Sequence, residues 1–232
     1  MPPVPPTYPD RVIATGPIRY WPLWDLAGPA AIELIVGDNG AYTGVTLADA
    51  LAPDGSPCPR FDGANDFVNV FSAALQAAFN GAEGSIAAWA RVFNVGVWTD
   101  GNVRDVVRFY SLGTNQLTLL RWVNNNRFSW YYAAGGVVEL RDRNAENTVD
   151  WFHVALTWSA IADQVIAYWD GVQEGAIMGA LGVWAGLLAA ATTNIGCYNN
   201  AGPSEVWNGW LAHVPLWDRA LTPAEVLDVA TV

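Results

Sequence analysis

Trp151–Gly171, WFHVALTWSAIADQVIAYWDG, decides the fold. Phe152, Val154, Leu156 and Trp158 alternate with His153, Ala155 and Thr157, the period-2 pattern of a strand with one face in a core. A short loop around Asp163 leads to Val165–Trp169, rich in β-branched and aromatic residues. Asp170-Gly171 closes the stretch as a tight hairpin turn, whose two central residues must both tolerate φ > 0.

Outward from this hairpin the chain keeps one texture. Ile18–Leu23 predicts a first strand. Ala31–Val36 is a short apolar run ending in the turn signal Gly37-Asp38-Asn39-Gly40. Ala41–Leu47 predicts a strand, 52–59 a loop, and Arg60–Phe71 two strands about a turn at Asp62-Gly63. Ser72–Asn80 is a helical turn that Ser72 can cap. Ser85–Phe93 places Ile86, Ala88, Ala90 and Val92 on one face. Further strands follow at 104–111, 117–123, 127–132, 137–141, 173–178, 192–198 and 207–217. Thr222-Pro223-Ala224-Glu225 is a capping box that starts a C-terminal helix. Short strands at this spacing argue for an antiparallel sandwich or barrel, and the lack of strand–helix alternation excludes a parallel α/β sheet. The reading is one all-β domain over residues 11–232. Residues 1–10, MPPVPPTYPD, form a proline-rich arm in extended polyproline form that docks in an assembly.

Composition bounds the function. Of 232 residues, 52% are hydrophobic and 14% charged, enough for a large core. With 13 tryptophans, some rings are expected at the surface. The net charge is −11 and every basic residue is arginine, which argues against nucleic acid and anionic membrane as partners. Whether Cys58 and Cys197 pair is open. With only His153 and His213 to add, they make no zinc set. The N-terminus lacks a signal-peptide layout, and no run is long enough to span a membrane.

Five stretches, in order, resemble the LamG-like jelly rolls of the concanavalin A-like lectin/glucanase superfamily. They are YWPLWDLAG (Tyr20–Gly28), RFDGANDFVNV (Arg60–Val70), SIAAWARV (Ser85–Val92), the hairpin WFHVALTW…YWDGV (Trp151–Val172) and NGWLAHVPLWDRALTPAEV (Asn208–Val226). The resemblance implies a two-sheet antiparallel jelly-roll sandwich with a binding surface on loops or on a sheet face. Ala212-His213 stands where family members often carry an acidic pair, so a polar or metal contact there is not carried over.

The glucanase branch of that family uses paired glutamates on one strand face. Here Glu139, Asp142 and Glu146 have the wrong spacing, and Glu139 and Asp142 point to opposite faces of a strand. His153 and His213 each look structural rather than the base of a triad. No enzyme is expected. Jelly rolls of the superfamily often hold a structural calcium, for which Asp38, Asn39, Asn65 and Asp66 are the candidate ligands on turns. For a sugar, the candidates are an aromatic platform with amide and guanidinium partners: Trp98 in the loop Asn94–Asn102, Asn124 and Asn125 in a second loop, and Arg127, Trp130 and Tyr132 after it.

The expected function is a non-enzymatic structural or adhesive virion protein of a tailed bacteriophage, in tail, fibre or capsid decoration, with a carbohydrate-binding, lectin-like surface. Its expected partners are other virion proteins through the arm, further copies of itself, and a cell-surface glycan. The alternative is a carbohydrate-binding module of a secreted bacterial protein. A glucanase-like hydrolase ranks below both.

Overall fold

The computed structural model describes residues 6–111, 113–123 and 126–232. The strands, in chain order, begin with β1 (Arg19–Trp21), β2 (Ala30–Ala31), β3 (Gly40–Thr43), β4 (Thr46–Leu51), β5 (Pro57–Asp62) and β6 (Phe67–Asn69). The middle of the chain supplies β7 (Glu83–Val92), β8 (Arg104–Ser111), β9 (Asn115–Trp122), β10 (Arg127–Ala134), β11 (Val137–Arg143), β12 (Phe152–Ser159) and β13 (Gln164–Trp169). The last are β14 (Val172–Gln173), β15 (Thr193–Ile195), β16 (Tyr198–Asn199), β17 (Pro203–Ser204), β18 (Asn208–Ala212) and β19 (Val214–Trp217). Three short helices join them: α1 (Tyr8–Ala14), α2 (Ala73–Ala78) and α3 (Pro223–Val229).

Two antiparallel sheets stack face to face. The first runs β14-β13-β12-β7-β18-β5-β4, with β19 also pairing β7 and carrying β1; the second runs β11-β10-β9-β8-β15-β6-β3-β2. This is the expected jelly-roll sandwich. Ile86, Ala88, Ala90 and Val92 on β7 and Phe152, Val154, Leu156 and Trp158 on β12 meet Leu117, Leu119, Phe128 and Trp130 of the second sheet in one core. Burying side chains of this size stabilises by roughly 1.5–3 kcal/mol each.

The decisive hairpin folds as read. β12 and β13 pair from Val154↔Trp169 to Ser159↔Gln164. Asp170 (φ 47°) and Gly171 (φ 76°) form a two-residue turn into β14, with Trp169 opposite Val172. The Asp170 carboxylate accepts from the His153 amide at 2.7 Å, tying the turn to the start of β12. A Cβ on Gly171 would lie 2.8 Å from Leu227 of α3, so glycine here also admits the C-terminal helix. The capping boxes predicted and unpredicted are both formed: Thr222 with Glu225 on α3, and Thr7 with Asp10 on α1.

Two expectations are corrected. The alternation of β12 predicts one buried face, yet every residue of β12 is buried. The reason is a second core outside the first sheet, where Tyr8, Val12, Leu221, Val226 and Val229 cover Trp89, Ala155 and Tyr168. The end of the expected 1–10 arm is also helical rather than extended. From Tyr8 the chain is helical, with Pro9 inside the first turn, where a missing N–H costs nothing. Tyr8 donates to the Val229 carbonyl at 2.7 Å and receives the Trp89 indole N–H at 2.9 Å. The two cysteines, both buried, are free thiols.

Candidate functional site

The sequence-derived sugar residues do not converge. Trp98 lies in a 3₁₀ turn capped by Asn94, is fully buried, and donates its indole N–H to the Thr148 carbonyl at 2.8 Å. It plugs one end of the core against Phe152 rather than facing solvent. Trp130 and Tyr132 are core residues as well; Tyr132 donates to the Gly81 carbonyl at 2.7 Å, and burial pushes its hydroxyl pKa up to about 12. Asn124 and Asn125 lie outside the described residues. Arg127 alone among the placed candidates is on a surface. It pairs with Asp142 at 2.9 Å, and its guanidinium carbon lies 5.4 Å from the centre of the Trp122 ring.

The reason is strand parity. On β10, Phe128, Trp130 and Tyr132 point into the core, so Arg127, Ser129 and Tyr131 point out. The expected tryptophan surface shrinks accordingly: among the described residues most Trp rings are buried and the rest half-buried.

The outer face of β8–β11 carries what the inner face cannot. Register places Thr118, Tyr131 and Leu140 in one row, with Arg108 on the far side of Thr118. The next row holds Tyr110, Gln116, Ala133 and Val138. Between the rows lies a depression of about 250 Å³ lined by Tyr110, Gln116, Tyr131 and Val138 and rimmed by Thr114 and Gly136. Gln116 donates to Thr118 Oγ1 at 2.8 Å, which orients its amide. Further along the face, Asp142 accepts from Ser129 at 2.7 Å and from Arg127. Two tyrosine rings beside a held amide give apolar planes with polar edges, the chemistry that suits a sugar ring.

Two depressions that are larger by a clear margin are less suited. One of about 400 Å³ at the loop end of the sandwich is lined by Gly63, Asn102, Arg104 and Glu205. Its Arg104 is already held by Asp100 at 2.5 Å and by the Val206 carbonyl at 2.7 Å. The other, about 860 Å³, lies between α1 and Trp24, Leu34 and Pro53 and is largely apolar. Its one inner carboxylate, Asp54, belongs to a buried cluster with His213 (3.1 Å) and Ser56 (2.7 Å). Burial works to raise the Asp54 pKa, but hydrogen bonds from His213 and Ser56 outweigh it and hold the carboxyl below its ordinary range.

His213 does not build a triad. Its Nε2 faces both Asp54 and Ser56, whereas a triad sets acid and nucleophile on opposite ring nitrogens. Its Nδ1 meets the Tyr20 hydroxyl at 2.6 Å. It breaks the expected continuous strand 207–217, because its φ of 51° separates β18 from β19. His153 sits buried beside Trp89, and burial lowers its pKa to about 3. Glu139 shares a row with the inward Tyr132, and Asp142 shares one with the outward Ser129, so the two carboxylates face apart as expected.

The calcium candidates sit in two turns. Asp38 accepts from Arg19 and from Ser72. Asn39 accepts from the Glu33 amide at 2.9 Å. Asp66 is buried and accepts from the Asp62 amide at 2.8 Å, beside the exposed Asn65. A cation at Asp38 would have to displace the Arg19 guanidinium, and among the described residues no group of three or more His, Cys, Asp or Glu side chains is placed to hold a metal.

Comparison with known proteins agrees with this architecture. A laminin G-type family described as the concanavalin A-like lectin/glucanases superfamily matches residues 62–227. Human neuronal pentraxin-1 is 28% identical over 126 residues, half of this chain, and the match spans 27% of that protein's length. Among solved structures, a Trypanosoma rangeli sialidase mutant aligns with TM-score 0.67 at 15% identity, over 94% of this chain and 34% of that one. The receptor binding domain of botulinum neurotoxin D gives 0.64 at 14%, over 94% and 53%. Domain 4 of AbnA, an extracellular arabinanase of Geobacillus stearothermophilus solved with arabinotriose, gives 0.60 at 14%, over 92% and 97%. These structural likenesses concern the fold. The sequence match covers well over half of the chain, and the chain therefore belongs to the concanavalin A-like lectin/glucanase superfamily, as a laminin G-type jelly roll.

Proposed function

We propose that this jelly roll is a non-enzymatic carbohydrate-binding module whose ligand lies on the outer face of β8–β11. The observation that carries this is the depression between Tyr110, Gln116 and Tyr131, where two half-buried aromatic rings flank an oriented amide. Domain 4 of AbnA, of similar fold and nearly equal extent, was solved with arabinotriose, which supports a saccharide ligand for this fold. Against catalysis, the carboxylates of β11 face apart and His213 lacks the triad arrangement. Tyr131→Ala and Gln116→Ala are expected to weaken glycan-array binding by about tenfold or more, as loss of an aromatic contact or a buried hydrogen bond does. Trp122→Ala, further along the face, should do less. Array binding that survives Tyr131→Ala would remove this site.

The proposal includes a place on the virion of a tailed bacteriophage, with the lectin-type sandwich displayed and its N-terminal segment turned toward the particle. Its support is the acidic, arginine-only composition, which suits neither nucleic acid nor membrane, together with the lectin-type fold. Neighbouring genes for capsid or tail proteins would bear this out; a catalytic domain in the same reading frame would favour the secreted module instead.

A further inference from the structure

α1 and α3 cover the outer face of the first sheet around Trp89, Ala155 and Tyr168. At the edge of that cover a half-buried row crosses three strands: Trp210 on β18 stands opposite Arg60 on β5 and opposite Arg91 on β7. The Arg91 guanidinium carbon lies 4.9 Å from the centre of the Trp210 ring, and that of Arg60 lies 4.1 Å from the centre of Phe93, which is 42% exposed. Asp49 accepts from the Trp210 indole N–H at 2.9 Å, which fixes the ring and leaves it without a free donor.

Charge makes the row unusual. Eight of the eleven arginines pair with a carboxylate. Arg60 and Arg91 form no ion pair among the described residues, although acids outnumber bases 22 to 11. Arg91 Nε donates to the Val149 carbonyl at 2.9 Å, and Arg60 Nε is buried with no partner. A guanidinium offers donors only, in a fork that fits a carboxylate. Two such forks beside an indole plane call for a ligand with both an anionic group and a flat apolar face.

We infer that Arg60, Trp210 and Arg91 form a second saccharide site, selective for a sugar that carries a carboxylate, of the uronic acid class. The carboxylate lies on the guanidinium groups, and the sugar ring packs beside them on the parts of Trp210 and Phe93 that the guanidinium groups leave exposed. The inference rests on the reading of the domain as a saccharide-binding module, but it uses a different sheet from the Tyr131 depression.

The test is calorimetric titration of the full chain with an oligogalacturonate and with the same oligomer after reduction of its carboxyl groups. The acidic oligomer is expected to bind about tenfold or more tightly than the reduced one, and to weaken as salt rises. Arg60→Gln and Arg91→Gln should each cost about tenfold, and Arg91→Lys, which keeps the charge without the fork, less. Thermal melts check that each variant folds; should Arg91→Gln fail, Arg60→Gln and Arg91→Lys carry the test. Tyr131→Ala should leave acidic binding intact, so loss of neutral-glycan binding in that variant concerns the other site alone. Equal affinity for the two oligomers, no effect of the arginine variants, or poly-glutamate binding as tightly as the uronate would overturn the inference.

Discussion

Trp130, Tyr131 and Tyr132 are three adjacent aromatic residues with two opposite fates. The middle one faces out beside Gln116, and its neighbours lie in the core. The signal that separates them is in the sequence: Arg127 and Ser129 share the parity of Tyr131. Grouping Arg127 with Trp130 and Tyr132 joined residues of opposite faces, and an isolated strand cannot present both together. Trp98 was less legible, since nothing local tells a capped 3₁₀ turn that closes a core from an exposed loop. His153 is buried beside Trp89, and it makes a prediction of its own. Burial, with a smaller contribution from His213, lowers its folded pKa to about 3, against an ordinary value near 6.5. Between those values the unfolded chain holds more protons at this position, so its contribution is complete above pH 6.5 and is lost as the pH falls toward 3. His153→Gln should flatten the fall in denaturant midpoint between pH 7 and pH 4 relative to the parent chain. An identical slope in the two proteins would show that His153 does not titrate on unfolding.

At the level of elements, the hairpin β12–β13 and the α3 capping box were fully legible, because turn chemistry and alternation are local signals. α1 was not, because Pro2, Pro3, Pro5, Pro6 and Pro9 dominate the composition of the N-terminus. The cue was Thr7 followed three residues later by Asp10, with Pro9 between them, the same pattern that reads cleanly at Thr222. The consequence is energetic. Tyr8 and Val12 belong to the second core, so deleting residues 1–10 strips Tyr8 from that core. Tyr8→Ala is expected to destabilise by about 3 kcal/mol, as large-to-small core changes do. Ile13→Ala, at a 42% exposed position on the same helix, should stay within about 0.5 kcal/mol. Equal effects in urea unfolding would mean that α1 is not docked as described.

On the scale of the whole molecule, two cores share the first sheet. The inner core joins the two sheets, and the outer core lets the helices at both ends of the chain close over Trp89, His153 and Tyr168. Beyond that cover lie the outer face of β8–β11 and the row of Arg60, Trp210 and Arg91 on the first sheet. The order of the five family-like stretches made the sandwich readable. The location of the binding face was not readable in the same way, since it depends on register between β8, β9, β10 and β11, and register is a long-range property. The most direct test is backbone amide chemical-shift mapping with the best neutral glycan from an array. Shifts concentrated at Tyr110, Gln116, Tyr131 and Val138 are the predicted result. Shifts confined to Gly63, Asn102 and Glu205 at the loop end, with β9–β11 unchanged, would contradict it.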